Sequence, residues 1–227
     1  MVGKPQNGRR KPLTPTQRQR RWRAKMKGAV KRTQRDQRER AMAERTIAAS
    51  QALVRTTPLY GVIFADPPWR FEPYSRITGL DRAADNHYAT MALDEIKALP
   101  IPAAPDCVLF LCATAPMLPQ ALEVMAAWGF AYRTHIVWVK DRIGTGYWAR
   151  NKHELLLIGT RGNVPAPAPG DQPLSVIFAS VTRHSSKPAA FATLIERMYP
   201  NVPKIELFAR SPRTGWDVWG NEADHEQ

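Results

Sequence analysis

The chain has 227 residues, 44% of them hydrophobic and 23% charged, with a formal net charge of +13. This composition suits a soluble globular domain of ordinary size with an extension. No run of about 18 apolar residues offers a membrane-spanning helix, and no apolar stretch follows the basic N-terminal residues as a secretory signal would require. The charge is one-sided. Residues 1–55 hold 17 Lys/Arg against 3 Asp/Glu, a net of +14, and residues 56–227 hold 16 against 17, a net of −1. A nearly neutral domain (56–227) with a cationic arm (1–55) points to a polyanionic partner.

In chain order, residues 1–13 are basic and broken by Pro and Gly, and read as disordered. From Thr14 a helical pattern begins, with Thr14 or Thr16 as the cap and Pro15 tolerated in the first turn. Trp22, Met26, Ala29 and Val30 share one face of it, a thin apolar stripe on a solvated arm. Arg18, Arg20, Arg21 and Arg23 on this arm are candidate phosphate contacts. Past Pro58, strands are expected at 59–65, 107–113, 132–139, 153–160, 175–180 and 204–209. They are continuous and rich in Val, Ile, Leu and Phe, as strands covered on both faces are. Helices are expected at 92–99, at 117–128 closed by Gly129, and at 188–199 opened by Pro188. Strand and helix in alternation predict an α/β sandwich on a mostly parallel sheet, whose ligands sit at the carboxyl ends of the strands.

Cys107 and Cys112 lie in one strand pattern, on opposite faces, so they read as two buried thiols rather than a pair. Long connections at 69–90 and 140–152 are read as functional, and the Pro-rich one at 161–174 as a rigid surface connection. The 140–152 connection combines Trp148 and Arg150 with Lys140, Arg142 and Lys152, a mixture of stacking face and charge that suits nucleic-acid contact. His87, His135 and His153 have no metal-ligand spacing, so no metal is expected.

The first strand runs into Asp66-Pro67-Pro68-Trp69. An ionised carboxylate only accepts hydrogen bonds. The two prolines have no N–H, so their carbonyls are expected to face a pocket without competing donors, and Trp69 is expected to offer a flat face for a base. Acceptors beside a flat face suit an aromatic amine, with the N6 amine of adenine the foremost candidate. Such an amine is a weak nucleophile and needs a strong alkyl donor, which makes S-adenosylmethionine the expected cofactor. The cytosine N4 amine is chemically alike and stays open.

The same residues carry a resemblance. Asp66-Pro67-Pro68-Trp69, with "NHYATMALDEI" (86–96), "GTGYWARNKHELLLIGTRG" (144–162) and "RHSSKPAAFATLIERMYPNVPKIELFARSPRTGWDVWGNE" (183–222), resembles the adenine-N6 methyltransferases named for the 70-kDa subunit of the messenger-RNA adenosine methyltransferase. The likeness covers about residues 59–222. It implies a Rossmann-like methyltransferase sandwich with permuted motif order, the tetrapeptide early and the cofactor blocks late. It implies Asp66, Pro67, Pro68 and Trp69 as the catalytic residues. Asp66, Lys187, Glu206, Phe208, Arg210, Asn221 and Glu222 are the implied cofactor residues, with Tyr88 at the border of the site and His184 beside it. Glu206 stands in an otherwise apolar strand, where a carboxylate needs a partner; ribose hydroxyls of the cofactor would serve. Lys187 would pair with the cofactor's carboxylate or with Asp66. The compact chain resembles bacterial and phage DNA-modifying enzymes more than the larger RNA enzymes. DNA is therefore the expected partner, in the cytoplasm of a bacterium or an infected cell, with monomer or homodimer left open. RNA adenosine methylation, or a binding-only scaffold of the same fold, are the alternatives.

Overall fold

The computed structural model describes residues 14–30, 33, 37, 59–70, 90–144, 146, 148–167, 171–181 and 187–220. The chain divides into two compact units, Met1–Ala41 and Met42–Gln227; the boundary expected at 55/56 lies outside the described residues.

The first unit carries helix α1 over residues 15–30. Thr14 caps it reciprocally. The Gln17 N–H donates to Thr14 Oγ1 at 3.3 Å, and the Thr14 N–H donates to Gln17 Oε1 at 3.0 Å. This is the capping box in which an N-cap hydroxyl and a residue three on satisfy each other's donors. Trp22, Met26 and Val30 are exposed along one face.

The second unit is built on one seven-stranded sheet. Its strands are β1 (Tyr60–Ala65), β2 (Ala103–Thr114), β3 (Ala131–Val139), β4 (His153–Arg161), β5 (Val176–Phe178), β6 (Lys204–Leu207) and β7 (Asp217–Trp219), in the order β5-β3-β4-β2-β1-β6-β7. Of these strands only β4 runs against the others: it pairs antiparallel with β2 and β3, and their other pairings are parallel. A hairpin joins β3 to β4, which is why the sheet is mostly rather than wholly parallel. The expected strands match these closely, and three of the differences stand out. β2 begins four residues early, β5 is a short, partly exposed edge rather than a covered strand, and β7 is a strand that the pattern alone does not announce.

Helices cover both faces. α2 (Leu93–Lys97) and α3 (Leu118–Ala127) pack Ile96, Ala121, Val124 and Met125 against Ile63, Leu109 and Leu111. α4 (Ala189–Met198) packs Phe191, Ala192 and Ile195 against Phe64, Phe110 and Trp138 on the other side. The alternation along each strand divides these two cores, and it places Cys107 in the first and Cys112 in the second. α3 ends as its sequence predicts. Gly129 takes φ +81°, the Phe130 N–H reaches the Met125 carbonyl at 3.0 Å and the Gly129 N–H the Ala126 carbonyl at 2.9 Å. A left-handed residue closing both bonds is what glycine permits most cheaply.

This topology positions the site. β1 leads through α2 on one face to β2, while α4 on the other face leads into β6. The connections thus diverge beside β1, and a crevice opens at the carboxyl ends of β1 and β6, the place where open α/β sheets hold ligands.

Candidate active site

Asp66 follows the last residue of β1, which is level with Leu207 of β6 and Leu111 of β2. The Asp66 N–H still reaches the Leu207 carbonyl at 3.4 Å, so the carboxylate stands at the lip of the crevice. The chain then turns sharply. The Trp69 N–H donates to the Pro67 carbonyl at 2.8 Å, and the Met91 N–H donates to the Pro68 carbonyl at 2.9 Å. The expectation that the proline carbonyls meet no competing donor is therefore corrected. Each already accepts one backbone bond that pins the turn, and each keeps a second lone pair for a ligand.

Trp69 also departs from expectation. Its indole is 8% exposed, lies in the core with Leu111 and Met117, and donates from Nε1 to the Cys112 carbonyl at 3.0 Å. It is an anchor beneath the turn rather than an open stacking face, because a large apolar ring gains more from burial than from exposure. Trp69→Phe is expected to lower stability by about 1–3 kcal/mol, the cost of leaving a buried carbonyl unpaired; urea denaturation measures it.

The charged groups form a row. Lys187, just ahead of α4, places Nζ 2.8 Å from Asp66 Oδ2 and 3.4 Å from Glu154 Oε2. Glu154 is the second residue of β4, level with Thr114 at the end of β2 and Trp138 near the end of β3. Its Oε1 takes a bond from Lys140, whose ammonium also lies 4.8 Å from the Trp138 ring centre. The side chains of Asp66, Lys187 and Glu154 are 24%, 14% and 14% exposed, so little water screens them. Burial pushes the Asp66 carboxyl up, and Lys187 only partly offsets this, so it stays above its ordinary value. For Glu154 burial also acts upward, but Lys187 and Lys140 together outweigh it and hold the carboxyl below the usual range. Burial opposes the Lys187 charge, and Asp66 and Glu154 overcome that, holding the ammonium above the ordinary lysine range. Glu154 Oε2 is buried, and the Lys187 ammonium meets it only at 3.4 Å, a longer contact than the 2.8 Å to Asp66.

Glu206 of β6 already has one partner within the chain: Arg213 Nε lies 3.3 Å from its Oε2. Burial still keeps the Glu206 carboxyl raised despite Arg213. Phe208, next after β6, takes φ +62° and meets Trp219 of β7 edge to face at 5.3 Å. That turn ends β6 two residues earlier than its pattern suggests. Arg210 is exposed, and its charge acts on Asp66. The crevice, with a carboxylate at one strand end and cations beside it, fits a cofactor that carries hydroxyls and a carboxylate.

The 140–152 connection is a braced hairpin. The Lys140 N–H reaches the Lys152 carbonyl, the Gly144 N–H the Asn151 carbonyl, and Arg150 Nε the Gly144 carbonyl at 3.0 Å. Gly146 sits where a Cβ would lie 1.9 Å from the Ala149 carbonyl oxygen, so the tip admits no side chain there. Trp148 is fully exposed at this tip, and Arg142, Arg150 and Lys152 are exposed with it. Lys140 differs, being turned inward to Glu154. Arg18, Arg20, Arg21 and Arg23 are exposed on α1 in the other unit. Tyr88, His184, Asn221 and Glu222 lie outside the described residues. Sequence reasoning missed Glu154. The only signal was a lone acid opening a run of apolar residues, the same signal that singled out Glu206.

Residues 60–222 match the MT-A70 family. The chain belongs to the MT-A70 family. It is 34% identical to the Type II methyltransferase M.MunI of Mycoplasma sp. over 180 residues, 72% of this chain and 77% of that one. It is also 34% identical to the human N(6)-adenosine-methyltransferase catalytic subunit METTL3 and 33% identical to the MT-A70-like N(6)-adenosine-methyltransferase of Arabidopsis thaliana. These matches cover 73% and 72% of this chain but only 28% and 24% of those proteins. This MT-A70 protein is a methyltransferase, and S-adenosylmethionine is the family's methyl donor. No helix among the described residues is long and apolar enough to cross a membrane.

Proposed function

We propose that this MT-A70 methyltransferase modifies the N6 amine of adenine in DNA. The observation that carries the reading is a half-buried carboxylate, Asp66, set at the crevice lip on a turn pinned by two backbone bonds. S-adenosylmethionine brings a methyl group on a positively charged sulfur. Asp66 accepts one amino hydrogen of the base, and the second lone pair of a proline carbonyl accepts the other. Held by two acceptors, the nitrogen keeps one orientation and gains electron density. Alignment of this kind is worth up to about 7–11 kcal/mol in favourable cases, against about 1.5–3 kcal/mol for a hydrogen bond to a charged group, so placement dominates. No separate general base is called for, because the nitrogen sheds its proton readily once alkylated. Lys187, Glu206, Phe208 and Arg210 border the crevice where the cofactor would be held.

DNA is favoured over RNA on two grounds. One relative matched over most of both chains is a Type II methyltransferase, whereas the adenosine methyltransferases named above are matched over about a quarter of their length. The cationic arm suits phosphates, and binding them would offset the few kcal/mol needed to extrude a base from a duplex. Exposed Trp148, with Arg142, Arg150 and Lys152, fits the same polymer. Matched DNA and RNA substrates with labelled donor, followed by nucleoside chromatography, test the reading. Labelled N6-methyl-deoxyadenosine is expected; label confined to RNA, or to cytosine, overturns it. Deleting residues 1–55 is expected to flatten the dependence of log affinity on log salt by about 0.9 for each phosphate that the arm neutralises. An unchanged slope removes the arm from the account.

A further inference from the structure

Glu154 and Lys140 have no part in the reaction as described above, yet they complete the row that begins at Asp66. One oxygen of Glu154 is held by Lys140. The other is buried, and its contact is the Lys187 ammonium at 3.4 Å, long for a hydrogen bond. That ammonium gives its short contact, 2.8 Å, to Asp66 instead. The row is thus uneven: one ammonium, with three hydrogens to give, holds Asp66 closely and Glu154 loosely.

The looser contact matters because Asp66 has competing demands. An incoming amine must donate to a carboxylate that already satisfies an ammonium, and a carboxylate so engaged is a poorer acceptor. We propose that Glu154 is a positioning residue that offers Lys187 a second station. As the base amine engages Asp66, Lys187 moves its hydrogen bond onto Glu154 Oε2, and Lys140 fixes Glu154 to receive it. The move only closes a 3.4 Å separation to hydrogen-bond length. No charge leaves the site, so the carboxylate is released to the amine without exposing a bare ion in a poorly hydrated pocket. Lys140 is then part of the site rather than a phosphate contact, as its inward turn and its place over the Trp138 ring indicate. The inference rests on Asp66 as the amine acceptor, but not on the choice of polymer.

The test uses the full chain and labelled S-adenosylmethionine, with unmethylated plasmid DNA or its RNA transcript, whichever the unaltered chain methylates. Glu154→Gln keeps the shape and removes the charge. It is expected to lower kcat about 10–100-fold, the size of one hydrogen bond to a charged group, with donor affinity by calorimetry within about twofold. The fall in kcat at unchanged donor affinity is the readout that a merely structural role would not give, and the acid limb of kcat/KM reads the Asp66 titration beside it. Asp66 faces Lys187, Glu154, Arg210, Glu206 and Cys112. Of these Glu154 and Glu206 push its carboxyl up, and Lys187 and Arg210 push it down. Removing the Glu154 charge, and returning Lys187 wholly to Asp66, both lower the Asp66 pKa, so the acid limb moves to lower pH. A fallen rate with an unmoved limb overturns the proposal. Lys140→Met is the second variant. It is expected to lower kcat while leaving nucleic-acid affinity and its salt slope unchanged; a slope flattened by about 0.9 with kcat retained makes Lys140 a phosphate contact and overturns the proposal. An unaltered chain that methylates only RNA overturns the DNA reading and leaves these comparisons intact.

Discussion

Asp66→Ala abolishes methyl transfer while the protein stays folded and still binds its donor: this is the expected result with the largest effect on activity. The charge-assisted bond to the amine contributes about 1.5–3 kcal/mol. Its loss also removes the group that fixes the direction of the nitrogen lone pair, and alignment is the larger contribution. Together they predict a fall in kcat/KM of about 10²–10⁴-fold, reaching the detection limit of a labelled-methyl assay. The fold is expected to survive because Lys187 keeps a second carboxylate, Glu154, within 3.4 Å. Near-ultraviolet circular dichroism and calorimetry of donor binding provide the controls. Turnover within about tenfold of the unaltered chain would remove Asp66 from the chemistry.

Lys187→Met is the second, and its largest effect is on stability. The unaltered row alternates in sign, Asp66, Lys187, Glu154, Lys140, and each carboxylate has a cation beside it. Methionine replaces the stem but leaves two poorly hydrated carboxylates facing each other. Breaking a buried pair by removing one partner costs about 3–5 kcal/mol, and that loss is expected at neutral pH. The pH dependence follows by linkage. In the unaltered chain Glu154 sits below its ordinary pKa and contributes stability that is lost as pH falls through that depressed value. Without Lys187, burial and repulsion by Glu154 raise Asp66 further above its unfolded value, while Lys140 still pairs Glu154. The native state then holds more protons than the unfolded chain, and stability falls as pH rises through the window above the ordinary carboxyl range. The variant is therefore more stable at about pH 5 than at about pH 7.5. Urea midpoints at the two values measure it; a variant less stable at the lower pH contradicts the pairing.

These two effects describe one design problem. An acceptor for an aromatic amine has to be desolvated enough to discriminate and charged enough to attract. Burial alone would protonate Asp66, and a permanent cation would occupy it. A lysine between two carboxylates meets both needs, since it supports the charge on Asp66 and has somewhere else to go. The turn below serves the same end, with Trp69 driven into the core and its N–H tied to Cys112, so that the carboxylate rides on a rigid base.

Much of this was legible in the amino-acid order. The apolar runs, the Gly129 stop of α3, the Thr14 cap and the opening of α4 at Pro188 depend on neighbours a few positions apart, and sequence carries such signals directly. The acid at the end of the first strand was legible for the same reason, as was its membership of a known family. The reversed direction of β4, the strand β7, the burial of the Trp69 ring and the engagement of the proline carbonyls were not. Nor were the partners of Glu206 and Glu154: one acid in an apolar run signals a need for compensation without naming the compensator, because Arg213, Lys187 and Lys140 look alike as letters. Only the packed sheet chose among them, by bringing β1, β4 and the start of α4 to one edge where ion pairing over a few ångströms outweighs hydration.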